Sequence, residues 1–330
     1  MKKSIYIFSD GDLIRKDNTL RFLCEERQQY LPVEDIAEIY AFGEINITKK
    51  LLELLSQKEI ILHYFNYYGY YMGTFYPREH YNSGYMILKQ AQCYSDMDRR
   101  LILAKQFIKG SLENIRIVLK YYENRGKEID SYRKAVELDL ERIEEQPDIE
   151  RLMAVEGHAR ESYYKSFDEI LGVPAFEFDH RTRRPPQNYL NTLISFGNSV
   201  MYTVVLSEIY KTHLDPRIGF LHSTNFRRFS LNLDVAEIFK PIIIDRAILS
   251  CVGKRQIKES DFKKDYEGIL LKDSGKQVFL QEMEKRLENT IEIKALKRNV
   301  SYRRLIRMEL YKLEKDLMGE VPYEPFLSRW

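Results

Sequence analysis

Three carboxylates and one histidine stand where the apolar periodicity of the chain leaves no room for them. From Asp148 onward, Ile149, Leu152, Met153, Ala159, Tyr163, Phe167 and Ile170 recur at helical spacing, and Glu156 falls on the same stripe. An unpaired buried carboxylate is either protonated or strongly destabilising, so Glu156 calls for a cation, an Arg or Lys partner, or a water-filled cleft. Arg160, one turn along, offers the second of these as a buried salt bridge. His222 ends the run Gly219-Phe220-Leu221, and the segment Ser230 to Pro241 places Asp234 and Glu237 at i and i+3, on a face shared with Ile238 and Pro241. Taken together, Glu156, His222 and Glu237, with Asp234 beside them as a possible further ligand, form a donor set suited to Mn²⁺ or Mg²⁺ with water in the open positions.

Basic residues that could hold phosphates cluster at Arg181, Arg183 and Arg184, and at Arg227 and Arg228 between His222 and Asp234. A third cluster, from Lys294 to Arg307, reads equally as a solvated helix face, because Glu292 and Glu309 flank it. His180-Arg181-Thr182-Arg183 has the H-x-x-R spacing of tyrosine recombinases, but the prolines at 185 and 186 put it in a loop. No P-loop, G-x-G-x-x-G, H-E-x-x-H, EF-hand or G-x-S-x-G pattern is present, which leaves nucleotide-triphosphate, dinucleotide, zincin, calcium and serine-hydrolase readings without support.

The elements that must position these residues change period near residue 76. Before it the chain reads as short strands, over 4–9, 20–23 and 36–42 and as a hairpin from Ile60 to Phe75 turning at Asn66 and Gly69, with one helix capped by Thr48. After the polar connection 77–84, helical periodicity covers 85–109, 111–124, 128–146 and the stretch from Asp148 to Gly172. Further helices are expected after Pro185-Pro186 to about His213, over 231–250 and over 276–318, followed by an irregular tail from Glu320. The predicted fold class is α+β in two domains: residues 1–76 form a small β-rich, β-sandwich-like unit, and residues 85–330 form a larger all-α domain carrying the metal site.

Composition sets the outer bounds. The 330 residues exceed what one core usually serves, and 44% apolar with 31% charged residues excludes collagen-like and broadly disordered classes. With 52 Lys and Arg against 50 Asp and Glu, no global field announces nucleic acid, so any DNA-binding surface must be local. The 3 cysteines lack metal-knuckle or C-x-x-C spacing, and no apolar run reaches membrane-spanning length, so a cytoplasmic protein with free thiols and no membrane partner is expected.

An ordered set of motifs resembles the CRISPR adaptation integrases, the first of the numbered Cas proteins. It runs from Val155-Glu156-Gly157 and Tyr163-Tyr164, through Arg184-Pro185-Pro186 and Asn191 to Gly197, to Gly219-Phe220-Leu221-His222 and Ser230 to Pro241. Asp10-Gly11 and Gly69 to Gly73 fit the opening domain of that family, so the resemblance covers nearly the whole chain. The wording Ala236 to Pro241 looks closest to the type I-B branch, with Lys240 where an arginine often precedes the proline and Asn198 where a tyrosine is frequent.

The resemblance implies a metal site on Glu156, His222 and Glu237, with Asp234 matching the first acid of the D-x-x-E/D motif and either holding a second ion or orienting His222, and Lys240 as a phosphate contact. It implies insertion of short double-stranded DNA into a CRISPR array, a 3′-hydroxyl attacking a phosphodiester without ATP. It also implies a homodimer joined through the β domains, two such dimers flanking a dimer of the small second numbered Cas protein in a heterohexamer. Two rivals remain open: a structure-specific nuclease that uses the same metal site without integrating, and a non-catalytic helical DNA-binding scaffold in which Glu156 is salt-bridged to Arg160.

Overall fold

The computed structural model describes residues 2–25, 27–77, 81, 83–223, 229–265, 268–293 and 296–329. Contacts divide the chain into two units, residues 1–80 and 81–330. Of the expected connection 77–84, residues 78–80 and 82 lie outside the described residues.

In the first unit the strands are β1 (Lys3–Ile7), β2 (Gly11–Lys16), β3 (Thr19–Cys24), β4 (Arg27–Leu31), β5 (Ile36–Ala41), β6 (Ile45–Ile47), β7 (Ile61–Phe65) and β8 (Tyr71–Phe75). They form two four-stranded sheets, ordered β1-β5-β7-β8 and β4-β3-β2-β6. Helix α1 (Lys49–Lys58) links strands of these sheets, and β5 pairs parallel to β7. Alternation explains the layers: Ile7, Ile39 and Leu62 of one sheet meet Leu13, Leu20 and Phe22 of the other, with Leu51, Leu54 and Leu55 of α1 in the same core. The Thr48 hydroxyl accepts from the Leu51 amide at 3.3 Å, the expected N-cap. Strands β2, β4 and β6 escape sequence reading because their burial is partial, so no clean alternation marks them.

In the second unit the helices are α2 (Gly84–Ser95), α3 (Met97–Glu123), α4 (Asp130–Arg142), α5 (Ile149–Leu171), α6 (Tyr189–Ile209), α7 (Leu231–Lys240), α8 (Arg246–Gly253), α9 (Asp273–Glu288) and α10 (Tyr302–Leu317). A π-helical turn, Pro241–Asp245, joins α7 to α8. Two short ribbons depart from an all-α domain: β9 (Phe262–Lys264) with β10 (Ile269–Leu271), and β11 (Thr290–Ile293) with β12 (Arg298–Ser301). The second ribbon splits the helix expected over 276–318, because Thr290-Ile291-Glu292-Ile293 carries β-branched residues at period two.

The break expected near Gly110 lies instead at Asp96, whose carboxylate accepts from the Arg99 amide at 3.1 Å and starts α3. Gly110 sits mid-helix because a Cβ there would lie 2.6 Å from the Pro325 side chain. The irregular tail packs across α3 at this point. Asn114 donates to the carbonyls of Ile238 and Phe326 at 2.9 and 3.1 Å and accepts from the Ser328 amide at 2.8 Å, while the Phe326 ring stacks on Phe239. Asn114→Ala should therefore free the tail and cost about 2–3 kcal/mol, since buried backbone groups lose their partners; limited proteolysis should cut after residue 320 faster than in the wild type.

Helix α7 is the centre of this unit, with every residue but Leu233 buried. Helices α3, α6 and α10 pack against it and carry fully buried side chains such as Leu112, Val200 and Leu310. A polar residue on α7 must therefore find its partner inside the protein.

Candidate metal centre

Helix α5 supplies Glu156 and Arg160, α7 supplies Asp234, Glu237 and Lys240, and the segment between α6 and α7 supplies His222. Asp148 caps α5 by accepting from the Arg151 amide at 2.8 Å, which fixes the helix phase and puts Glu156 and Arg160 on one face.

Arg160 ties the two helices together. Its Nε donates to Glu156 Oε1 at 2.8 Å, and its Nη2 donates to Glu237 Oε2 and, at 3.0 Å, to Ser111 Oγ. The other Glu237 oxygen accepts from Lys240 Nζ at 2.5 Å, and the same ammonium reaches the Tyr202 hydroxyl at 2.7 Å. Burial alone would raise the Glu237 pKa, but Lys240, Arg160 and His222 outweigh it and hold the carboxyl at about 2. Glu156 and His222 lie nearer the surface, their side chains 17% and 25% exposed, while that of Glu237 is 6% exposed.

Asp234 organises the histidine. Its Oδ2 accepts from the amides of Phe220 and Leu221 at 2.5 and 3.0 Å, and its Oδ1 accepts from the His222 amide and is 2.9 Å from the His222 Nδ1. Three backbone amides and the imidazole thus gather on the one carboxylate, an arrangement in which Asp234 orients the His222 ring. With Nδ1 so engaged, Nε2 is the ring nitrogen that could take a ligand. Burial pulls the His222 pKa down, yet the Asp234 hydrogen bond and charge, with Glu237 beyond, raise it above its ordinary value. Gly219 is required here by close approach: a Cβ would lie 2.7 Å from Asp234 Oδ2 and from the Ser230 backbone.

The sequence-predicted residues are thus brought to one region, but as an ion-pair network. Among the described residues no group of three His, Cys, Asp or Glu side chains stands ready to hold one ion. The physical reason is that Arg160 and Lys240 already neutralise Glu237, and Arg160 also serves Glu156. Lys240, expected as a phosphate contact, is buried on Glu237 and Tyr202, because an interior carboxylate recruits the nearest cation.

Arg181 is held by Asn191 Oδ1 at 2.9 Å and Ser195 Oγ at 3.0 Å, within electrostatic reach of Tyr164, Tyr202 and Asp245. Arg183 and Arg184 are exposed beside it, whereas Arg227 and Arg228 lie outside the described residues. In the third basic cluster Arg303 and Arg307 pair with Glu284 and the buried Glu208 and are themselves only partly exposed, so this part of the cluster is packed against the protein, and Lys294 lies outside the described residues.

One participant was missed. Asp245 is fully buried, and burial, only partly offset by Arg160 and Lys240, raises its pKa to about 7. An acid at the end of Pro241-Ile242-Ile243-Ile244 was the available signal. Because the folded pKa exceeds the ordinary carboxyl value, the folded state holds this proton longer than the unfolded chain, so the associated stability is present at low pH and disappears as pH rises from about 4 to about 7. Asp245→Asn should remove this component of the pH dependence, at most about 4 kcal/mol, in urea unfolding without divalent ions.

A family model for CRISPR associated protein Cas1 matches residues 5–285. This chain belongs to the Cas1 family. A CRISPR-associated endonuclease Cas1 of Thermodesulfovibrio yellowstonii is 58% identical over 330 residues, covering 100% of both chains. The solved structure of a CAS1 protein from Thermotoga maritima has 48% identity and a TM-score of 0.87, covering 98% of this chain and 99% of that one. The β-rich unit followed by a helical one is thus a Cas1 arrangement. A casposase bound to its integration product shares the fold at TM-score 0.88 with 20% identity, over 99% of this chain and 94% of that chain. Among the described residues no helix is long and apolar enough to cross a membrane.

Proposed function

We propose that this Cas1 chain is a divalent-metal-dependent DNA integrase and endonuclease of CRISPR adaptation, with Glu156, His222 and Glu237 as the ligands of Mn²⁺ or Mg²⁺. The observation that carries the reading is Arg160 between Glu156 and Glu237, next to an imidazole whose Nδ1 is committed to Asp234. Two carboxylates gathered on one cation, with a histidine Nε2 beside them, are the donor chemistry such an ion takes. When bound, the ion would polarise the scissile phosphate and stabilise charge on the leaving oxygen.

In the reaction a 3′-hydroxyl of the incoming duplex forms one P–O bond as the bond to a 3′-oxygen of the array strand breaks. The number of phosphodiesters is unchanged, so no ATP is required. Held to Asp234 through Nδ1, His222 would present Nε2 to the ion. Arg181, Arg183 and Arg184 form the basic ground on which phosphates would settle. The expected partners are double-stranded DNA, a second copy of the chain and the second numbered Cas protein in a heterohexamer.

The test is joining of a labelled 3′-OH duplex to a repeat-containing plasmid with Mn²⁺, with and without the second Cas protein. Metal-dependent joined product supports integration; cleavage of branched DNA without joining gives the nuclease reading. One observation favours the scaffold reading, namely that Arg160 and Lys240 already pair Glu156 and Glu237 within the protein. That reading requires that the protein bind no Mn²⁺.

A further inference from the structure

Three carboxylates of the network, Glu156, Glu237 and Asp245, face two cations, Arg160 and Lys240. Their service is uneven. Arg160 spends Nε and Nη2 on Glu156, Glu237 and Ser111, while its Nη1 is buried and has no hydrogen-bond partner. Asp245 is the counterpart: both oxygens are buried with no hydrogen bond of good geometry, and the Tyr163 hydroxyl, close enough to lower the Asp245 pKa, is likewise without a well-placed partner. The two unsatisfied groups face each other, with Arg160 Nη1 at 3.8 Å from Asp245 Oδ2. Buried polar atoms left this way are costly, and finding four of them, on three neighbouring side chains, marks a second arrangement of the same groups.

We propose that Arg160 holds the place of the divalent cation in the metal-free protein and that Asp245 is the acceptor onto which it moves when the cation enters, making Asp245 a positioning residue for metal loading. The inference rests on the reading that Glu156, His222 and Glu237 hold that cation. A shift of about 1 Å would close the gap to Asp245 to a charge-assisted hydrogen bond of about 2.8 Å. The same motion would free carboxylate lone pairs on Glu156 and Glu237. The guanidinium cannot shed its charge, so a dication arriving at those carboxylates would repel it, and the buried anion of Asp245, already within reach, accepts it without full desolvation cost. The π-helical turn Pro241–Asp245 carries the acceptor directly beyond the helix that carries Glu237 and Lys240.

The experiment is titration of the full chain with Mn²⁺ at about pH 8, where Asp245 is ionised, followed by the electron-paramagnetic-resonance signal of free Mn²⁺. Wild type should bind one ion, and Asp245→Asn, which keeps the shape of the site, should weaken binding by about tenfold or more. In an Arg160→Gln background, where nothing has to be moved, Asp245→Asn should change the affinity by less than about twofold. If Arg160→Gln does not fold by circular dichroism, Arg160→Lys serves the comparison, because one ammonium cannot hold both glutamates and reach Asp245 through separate nitrogens. Unchanged affinity in Asp245→Asn, or equal weakening in both backgrounds, would overturn the acceptor role while leaving the metal site standing. No Mn²⁺ binding by the wild type would overturn the site itself, and the inference with it.

Discussion

Glu156→Ala should fold with the circular dichroism spectrum of the wild type, fail to bind Mn²⁺, and lose strand transfer by at least about a thousandfold. The size follows from what a ligand does: without it the ion that stabilises charge on the leaving oxygen is no longer held, and single electrostatic contacts of that kind are already worth about a hundred- to a thousandfold. The fold survives because Arg160 keeps Glu237 and Ser111 as partners, and Glu156 lies at the rim of the network where water can replace it. The stability cost should stay near 1 kcal/mol, the worth of a partly exposed ion pair. Normal joining by a folded Glu156→Ala protein would remove the metal-centre reading and return the residue to a salt bridge.

Asp234→Ala is expected to do the opposite kind of damage. It leaves the amides of Phe220, Leu221 and His222 and the His222 ring without their shared acceptor in a buried setting. The expected loss is about 3–5 kcal/mol, which for a domain of this size lowers Tm by about 10 °C. Asp234→Asn separates orientation from stability. One of its two terminal atoms becomes a donor facing donors, so the His222 segment shifts, and strand transfer should fall by about ten- to a hundredfold in protein that still melts cooperatively. Calorimetry and the joining assay on the same samples check both. An Asp234→Ala protein that melts like wild type would show that the acceptor is not needed.

The contrast between these two acids shows what could be read in the chain. Both are carboxylates on apolar helical faces, and periodicity alone flagged both. It could not divide their roles, because a ligand and an orienting residue differ only in which donors surround them, and the amides of residues 220–222 reach Asp234 through a turn that periodicity does not describe. Lys240 shows the same limit: a basic residue beside a proline reads as a phosphate contact, and only the packing of α7 shows it buried on Glu237 and Tyr202. Gly110 reads as a helix break until the tail is seen lying against it.

What the sequence determined by itself is the order of the parts: short strands and then helices, one capped at Thr48 and another opening at Asp148, and the acids and histidine that do not suit their apolar surroundings. These follow from local rules, since caps and periodicity act within a few residues. Only the tertiary structure decided which charges meet. Arg160 and Glu237 are 77 positions apart, and Arg160 and Asp245 are 85 apart, so their encounter depends on how α5, α7 and the π-helical turn pack. In a buried site the nearest opposite charge sets the state of every group, and nearness across that separation is a property of packing.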